Sequence, residues 1–292
     1  MKMNNILKTT ALLLGSSVLL SGCIKETFPE SGYATSDQTA ESPFAKEGLI
    51  TAMPTVLITN YTDLGEHIDF GYPGIFGATD RMVGEVFPVS GNLPGGNQYY
   101  DRWQAWLYPG NSTGLAANGW ASPFFYTNYY KFIFTANEAI DIANQSEGAE
   151  EMMGIAKTFR ALCYLDLARL YDALPAKAPE RPAYETELEA VKGLTVPIVR
   201  EDTSMEELEN NPRVSREEMF KFIFEDLNTA ETLLANYTPA TKNLPSLAVI
   251  YGLKARAYLW LGGFDSSKYA DAATYARKAI DASKCTIMTE AE

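Results

Sequence analysis

The 292-residue sequence has one histidine, His67, and three cysteines, Cys23, Cys163 and Cys285. A single imidazole leaves little for a zinc site of His and Cys ligands, or for a His-based nucleophile and base pair. Cys163 and Cys285 are far apart in the chain, so no small disulfide scaffold is implied. Cys163 sits inside an apolar helical run and reads as a small buried hydrophobe. Basic residues are also short, with 24 Lys and Arg against 37 Asp and Glu, a formal net charge of −13. That balance excludes nucleic-acid binding, where neutralising phosphates with Lys and Arg dominates affinity. No glycine-rich phosphate loop is present. Gly110-Asn111-Ser112-Thr113-Gly114 matches the G-x-S-x-G pattern of serine hydrolases, but it lies in Gly/Asn-rich sequence behind Pro109. His67 precedes the serine, whereas the hydrolase order places histidine last. Carboxylates are numerous, yet none stands out as a glycosidase pair. The chain reads as a non-enzyme, with no cofactor and no metal.

The first residues are distinctive. Lys2 and Lys8 form a short basic region, and Thr9 to Leu20 is an apolar stretch. It is shorter than the roughly 20 residues needed to cross a bilayer, and has the length of a leader that is removed. Leu20-Ser21-Gly22-Cys23 closes it and resembles the lipobox cut by signal peptidase II, after which the Cys23 thiol carries lipid. Residues 1–22 are then a signal peptide and Cys23 a lipid anchor, which holds a chain on a membrane without spanning it. Loss of Lys2 and Lys8 takes the net charge from −13 to −15.

Residues 23–41 read as a polar tether and 42–292 as one helical domain. Ser42-Pro43 supplies a cap followed by proline at the first helical position, with Pro54 set to kink or end that helix. Residues 59–123, rich in Gly, Pro, Asn and aromatics, read as long ordered loops, which in a compact domain are usually functional. From Phe124 to Asn144 the apolar spacing is helical, carried by Tyr129, Phe132, Ala136 and Ile140. The helix from Glu150 to Tyr171 is apolar almost all round, as in a buried helix. Residues 175–214 read as connecting sequence. Ser215 and Glu218 form a capping box before the stripe Phe220, Ile223, Leu227, Ala230 and Leu234. Helices follow over 247–261 and from about 269 to 282, the second capped by Asp265 or Ser266. Ala257, Tyr258, Gly262, Tyr269, Ala272 and Ala279 resemble tetratricopeptide positions. The fold class is all-α, with tetratricopeptide-like helical hairpins and long ordered loops.

Within the loop region lie Trp103, Trp106, Tyr108 and Trp120, with Asp80, Arg81 and Asn111 interspersed. Flat rings stack on the C–H faces of sugars, while amides, carboxylates and guanidiniums satisfy hydroxyls. These seven residues are the candidate ligand site. Trp103 and Trp106, three apart, also fit one face of a short helix turned inward. Asp80 and Arg81 also fit a surface ion pair.

Four stretches carry a family resemblance: the lipobox; Gly154-Ile155-Ala156-Lys157-Thr158-Phe159-Arg160-Ala161, continuing through Tyr164 and Leu167 to Tyr171 and Pro175; Pro212 to Glu218, running to Glu225-Asp226-Leu227; and Ala255-Arg256-Ala257-Tyr258-Leu259. Together they resemble the SusD/RagB family of outer-membrane nutrient-binding lipoproteins of the Bacteroidetes. Asp172 stands where that family commonly has glycine. The resemblance implies tetratricopeptide-like units and a place beside a SusC-like TonB-dependent transporter. It also implies lipid anchoring in the outer membrane facing the exterior, and an oligosaccharide ligand that is bound but not cleaved. A peptide ligand, as in some branches, and a helical scaffold that contacts only proteins remain open. Family members are usually much longer. Metabolic labelling with a palmitate analogue in a Bacteroidetes host is expected to mark the chain. Cys23→Ala is expected to abolish both the label and membrane retention.

Overall fold

The computed structural model describes residues 36–58, 72, 121–172 and 189–286. Among them are eight α-helices and no strand. A single isolated antiparallel bridge joins Leu194 to Ser215. In chain order the helices are α1 (Ser36–Glu41), α2 (Pro43–Ile58), α3 (Ala121–Asn144), α4 (Glu150–Tyr171), α5 (Met205–Glu209), α6 (Arg216–Leu233), α7 (Leu247–Gly262) and α8 (Lys268–Ser283). No described helix is long and apolar enough to cross a membrane.

Local chemistry explains most of the boundaries. Ser42 Oγ accepts from the Ala45 N–H at 3.3 Å, and Pro43 occupies a position whose N–H would have no partner. Pro54 does not end α2, which continues to Ile58. Proline removes one helical hydrogen bond, but its neighbours Met53 and Leu57 are buried in the core, and that packing carries the helix through. Ser36–Glu41, placed in the polar tether by the sequence reading, is helical, and its Ala40 packs with Ile142 and Ala143 of α3. Ser215 caps α6, accepting from the Glu218 N–H at 3.1 Å, but the reciprocal half of the expected box is absent there. It forms instead at α5, inside the stretch read as connecting sequence. There Ser204 Oγ accepts from the Glu207 N–H at 3.3 Å, and Glu207 accepts from the Ser204 N–H at 2.8 Å. The N-cap of α8 is Ser267, not Asp265 or Ser266. The Asp265 carboxylate accepts the Ser267 N–H at 3.0 Å.

α4 is the central helix, buried on several faces. α3 lays Phe125, Tyr129, Phe132 and Ile140 into the shared core, and α6 adds Phe220, Ile223, Leu227, Ala230 and Leu234. Burying each large apolar side chain contributes about 1.5–3 kcal/mol. Gly154 lets α4 and α6 approach: a Cβ there would lie 2.7 Å from Leu234 Cγ. α7 and α8 form a close hairpin in which Gly262 lies against the Tyr269 ring, where a Cβ would overlap it. Ala257 and Ala272 are buried. These are tetratricopeptide-like small-against-aromatic contacts.

A charged cluster crosses this core. Arg160 of α4 and Asp226 of α6 are each 1 % exposed. Arg160 donates from Nε to Asp226 Oδ2 at 2.7 Å and from Nη2 to Oδ1 at 2.9 Å. Its Nη1 donates to Asn137 Oδ1 of α3 at 2.8 Å and to Glu201. Lys157 adds a bond to Asp226 Oδ1 at 2.9 Å. The cluster also ties down residues 194–201. Asn137 donates to the Val199 carbonyl at 3.0 Å, and the Tyr164 hydroxyl accepts from the Val199 N–H at 2.8 Å. Phe222 lies beneath both Arg160 and Arg200, whose guanidinium carbons are 4.9 and 4.3 Å from its ring centre.

Removing one partner of a buried pair strands the other, so Asp226→Ala is expected to cost about 3–5 kcal/mol, read as a fall in melting temperature by calorimetry. Glu201 gives a pH signature. Partial burial pushes its carboxyl up, but the charge and hydrogen bond of Arg160 outweigh that and hold it below the usual range. A depressed folded pKa contributes stability above the unfolded value of about 4.3. That contribution is lost as pH falls through the folded value. Glu201→Gln is therefore expected to lower the melting temperature at neutral pH, and its difference from the native chain is expected to shrink below about pH 4.

Candidate functional site

Trp103, Trp106, Tyr108, Trp120, Asp80, Arg81 and Asn111 lie outside the described residues, as do Cys23, His67 and Ser112. Among the described residues, no group of three or more His, Cys, Asp or Glu is placed to hold a metal ion. The described helices do present two surface grooves with binding chemistry.

The first runs along the outer face of α3 and encloses about 580 Å3 between Val56 of α2 and Tyr126, Thr127, Tyr130, Lys131, Phe134 and Thr135. Residues four apart share a helix face, so Tyr126, Tyr130 and Phe134 form one aromatic row. At 1.5 Å per residue it is about 12 Å long. Phe134 is 64 % exposed and Tyr126 38 %. The row is held from behind. Tyr130 donates its hydroxyl to the Pro197 carbonyl at 2.5 Å, so the segment tied down by Arg160 and Asn137 also fixes this ring. Tyr126 lies over Tyr130 with centroids 4.4 Å apart, and meets the edge of Tyr171 at 6.0 Å. Burial, with the neighbouring Tyr164 and Tyr126 rings, pushes the Tyr130 hydroxyl far above its ordinary value. It is therefore a neutral donor at any physiological pH. Fixed rings beside threonine hydroxyls and an ammonium suit a polyhydroxylated ligand with apolar C–H faces.

The second groove, about 390 Å3, lies between the end of α4 and the α7–α8 hairpin. Arg169, Arg256, Leu259, Trp260, Gly263 and Tyr269 line it. Its two arginines lean on one carboxylate. Asp166 Oδ1 accepts from Arg256 Nη2 at 2.6 Å and lies 3.5 Å from Arg169 Nη1. The other oxygen, Oδ2, accepts the hydroxyls of Tyr72 at 2.8 Å and Tyr129 at 3.3 Å. Burial, reinforced by the Asp166 charge, pushes both tyrosine hydroxyls far up, so they remain donors. Trp260 lies 6.0 Å from the Arg169 guanidinium carbon. Its indole N–H is buried with no acceptor.

None of these groove residues was singled out from the sequence as a ligand contact. Attention there went to Tyr129, Phe132, Ala136 and Ile140, the buried stripe of α3. The row at 126, 130 and 134 has the same helical spacing in another phase, and that periodicity is the signal that marks it. The arginine pair had no comparable signal, because Arg169 and Arg256 are brought together only by packing of α4 on α7.

Comparison with known proteins completes the picture. A family model described as "Starch-binding associating with outer membrane", of the SusD-like type, matches residues 96–259. The fold is similar to a SusD-like carbohydrate-binding protein from Bacteroides vulgatus, with a TM-score of 0.62 and 20% identity over 84% of this chain and 46% of that one. It is also similar to a SusD-like carbohydrate-binding protein from Bacteroides fragilis, with a TM-score of 0.52 and 15% identity over 82% of this chain and 41% of that one. No curated protein matches. The chain spans less than half the length of these two structures, and at such identity the likeness is one of fold. The family model covers more than half of the chain, from the tryptophan-rich segment through the α3–α4 and α6 core to Leu259 of α7: this chain belongs to the SusD-like family.

Proposed function

We propose that this chain is an outer-membrane lipoprotein that captures oligosaccharides outside the cell and passes them to a SusC-like TonB-dependent transporter. The observation that carries this reading is the family match over residues 96–259. It includes Trp103, Trp106, Tyr108, Asn111 and Trp120 as well as the aromatic row on α3. Two structural relatives are described as carbohydrate-binding, and lipid on Cys23, behind the leader of residues 1–22, supplies the membrane anchor. The protein binds and does not cleave. Aromatic faces take the sugar C–H surfaces, and Asp80, Arg81 and Asn111 take hydroxyls, the division of labour common to ligand sites. Capture in this scheme depends on preformed rings. Tyr126 and Tyr130 are held by stacking and by Pro197, so little side-chain freedom is lost when a sugar lands.

The test is a fluorescence titration of the full chain in detergent micelles against neutral oligosaccharides, including starch fragments. A saturable change in tryptophan emission is expected, weakened at least about tenfold by Trp103→Ala or Trp106→Ala. Phe134→Ala, which removes an exposed ring, is expected to weaken binding by about 0.5–1.5 kcal/mol. No response to any glycan, from protein with a native helical circular-dichroism spectrum, would sink the reading. A peptide ligand or a protein scaffold would then take its place.

A further inference from the structure

The described lining of the groove between α4 and the α7–α8 hairpin carries more positive than negative charge. The whole chain carries a formal −13, yet this groove presents two guanidiniums, from Arg169 and Arg256, against the single carboxylate of Asp166. One positive charge is left over. Asp166 cannot neutralise more. It is 5 % exposed, its Oδ1 is shared by both arginines, and its Oδ2 is filled by Tyr72 and Tyr129. A guanidinium offers five N–H donors. Among the described residues Arg256 reaches Asp166 and the adjacent Tyr72, and Arg169 holds Asp166 at the long distance of 3.5 Å. Donors of both are thus left for a ligand. Arg169 is 44 % and Arg256 36 % exposed at the side chain.

The apolar walls narrow the choice of anion. Leu259 is 58 % and Tyr269 47 % exposed, and both line the same groove as Trp260. A small inorganic anion would leave these surfaces uncovered. A ligand that joins a carboxylate to a ring with apolar C–H faces covers both, with the carboxylate on the guanidinium fork and the ring against tyrosine and leucine. Tyr269 is backed by its contact with Gly262, so the face it offers is fixed.

We propose that this groove is a subsite for an acidic sugar, a uronic acid unit within an oligosaccharide, with its carboxylate held by Arg169 and Arg256. The proposal rests on the glycan-binding reading above and adds to it a charge class and a second location. Because the attraction comes from these two guanidiniums, acid recognition depends on them and weakens with salt.

The experiment titrates the full chain in detergent micelles, by calorimetry, with three probes: a pectic oligogalacturonate, its fully methyl-esterified form, and poly-glutamate. The acid is expected to bind at least tenfold more tightly than its ester. Arg169→Gln, a half-exposed position, is expected to remove that preference, with acid affinity falling at least tenfold toward that of the ester. Leu259→Asp, which places a like charge at the exposed rim and removes one apolar wall, is expected to weaken the acid more than the ester, and serves as a second variant that leaves the Asp166 cluster untouched. Equal binding of acid and ester, or a preference that both variants retain, overturns the acidic subsite and leaves glycan capture standing. Arg169-dependent binding of poly-glutamate without binding of oligogalacturonate also overturns it, assigning the groove to acidic peptide. Failure of every saccharide, neutral or acidic, to bind the folded chain overturns the subsite and the glycan reading together.

Discussion

The buried pair of Arg160 and Asp226 is the constraint from which the rest of the described structure follows. Both groups have left water, and that cost is met only if each polar atom finds a partner. Here the carboxylate receives three hydrogen bonds, two from Arg160 and one from Lys157. The guanidinium reaches onward to Asn137 and Glu201. Each bond is directional, so the cluster fixes the rotation of α4 against α3 and α6 as apolar packing alone would not. It also reaches the surface. Asn137 and Tyr164 hold the backbone at Val199, the neighbouring Pro197 carbonyl receives the Tyr130 hydroxyl, and Tyr126 stacks on Tyr130. A groove exposed on α3 is thereby shaped by an ion pair in the core.

The C-terminal end of α4 is a second junction. A helix end leaves carbonyls without partners, and here Arg213 donates to the Tyr171 carbonyl at 2.8 Å and to the Leu194 carbonyl at 3.0 Å. Asp172 stands where glycine is common in the family. Glycine at a helix end usually serves a left-handed conformation, but Asp172 is extended, with φ −103° and ψ 122°, so that freedom is not needed. Its carboxylate accepts from Arg216 Nε at 2.5 Å and Nη2 at 2.9 Å. Arg216 in turn lies 3.3 Å from the centre of the Phe264 ring. The departure from the family pattern thus couples α4 to the start of α6 and to the turn after α7. The residues at this end also belong to both grooves, Tyr171 through Tyr126 and Arg169 through Trp260.

What could be read from the sequence follows from how local each cause is. Glu150–Tyr171 appears in the structure with the ends its periodicity gives, because apolar spacing and flanking turns are properties of the strand of text itself. The same holds for the buried stripe of α6 and for Cys163, whose burial pushes its thiol up and leaves it a small hydrophobe. Caps were less legible. Ser215 and Ser204 have the same Ser-x-x-Glu spacing, and which glutamate folds back depends on competing surroundings. Pro54 does not end its helix for a related reason, since the loss of one hydrogen bond is local while the burial of Met53 and Leu57 that offsets it is not. Least legible was charge burial. Arg160 and Lys254 look like surface residues, yet each is 1 % exposed, because their acceptors come from residues at least 23 positions away. The tryptophan-rich segment stands as a reading of the sequence alone.

The same long-range pairing takes several cations of this acidic molecule out of the surface field. Arg160 and Lys157 are balanced by Asp226 and Glu201, Arg216 is committed to Asp172, and Lys254 to Asn228 and Glu231. Arg213 is turned onto backbone carbonyls. Cations used in this way hold helices together and contribute little field at the surface. Arg169 and Arg256 differ because they divide one carboxylate between them while its other oxygen is occupied by two tyrosine hydroxyls. The excess charge at their groove is therefore a consequence of stoichiometry inside the core. Tyr72 and Tyr129, by filling Oδ2, set how much of Asp166 remains for the arginines. Two tyrosine hydroxyls behind the groove thus set the charge at its surface.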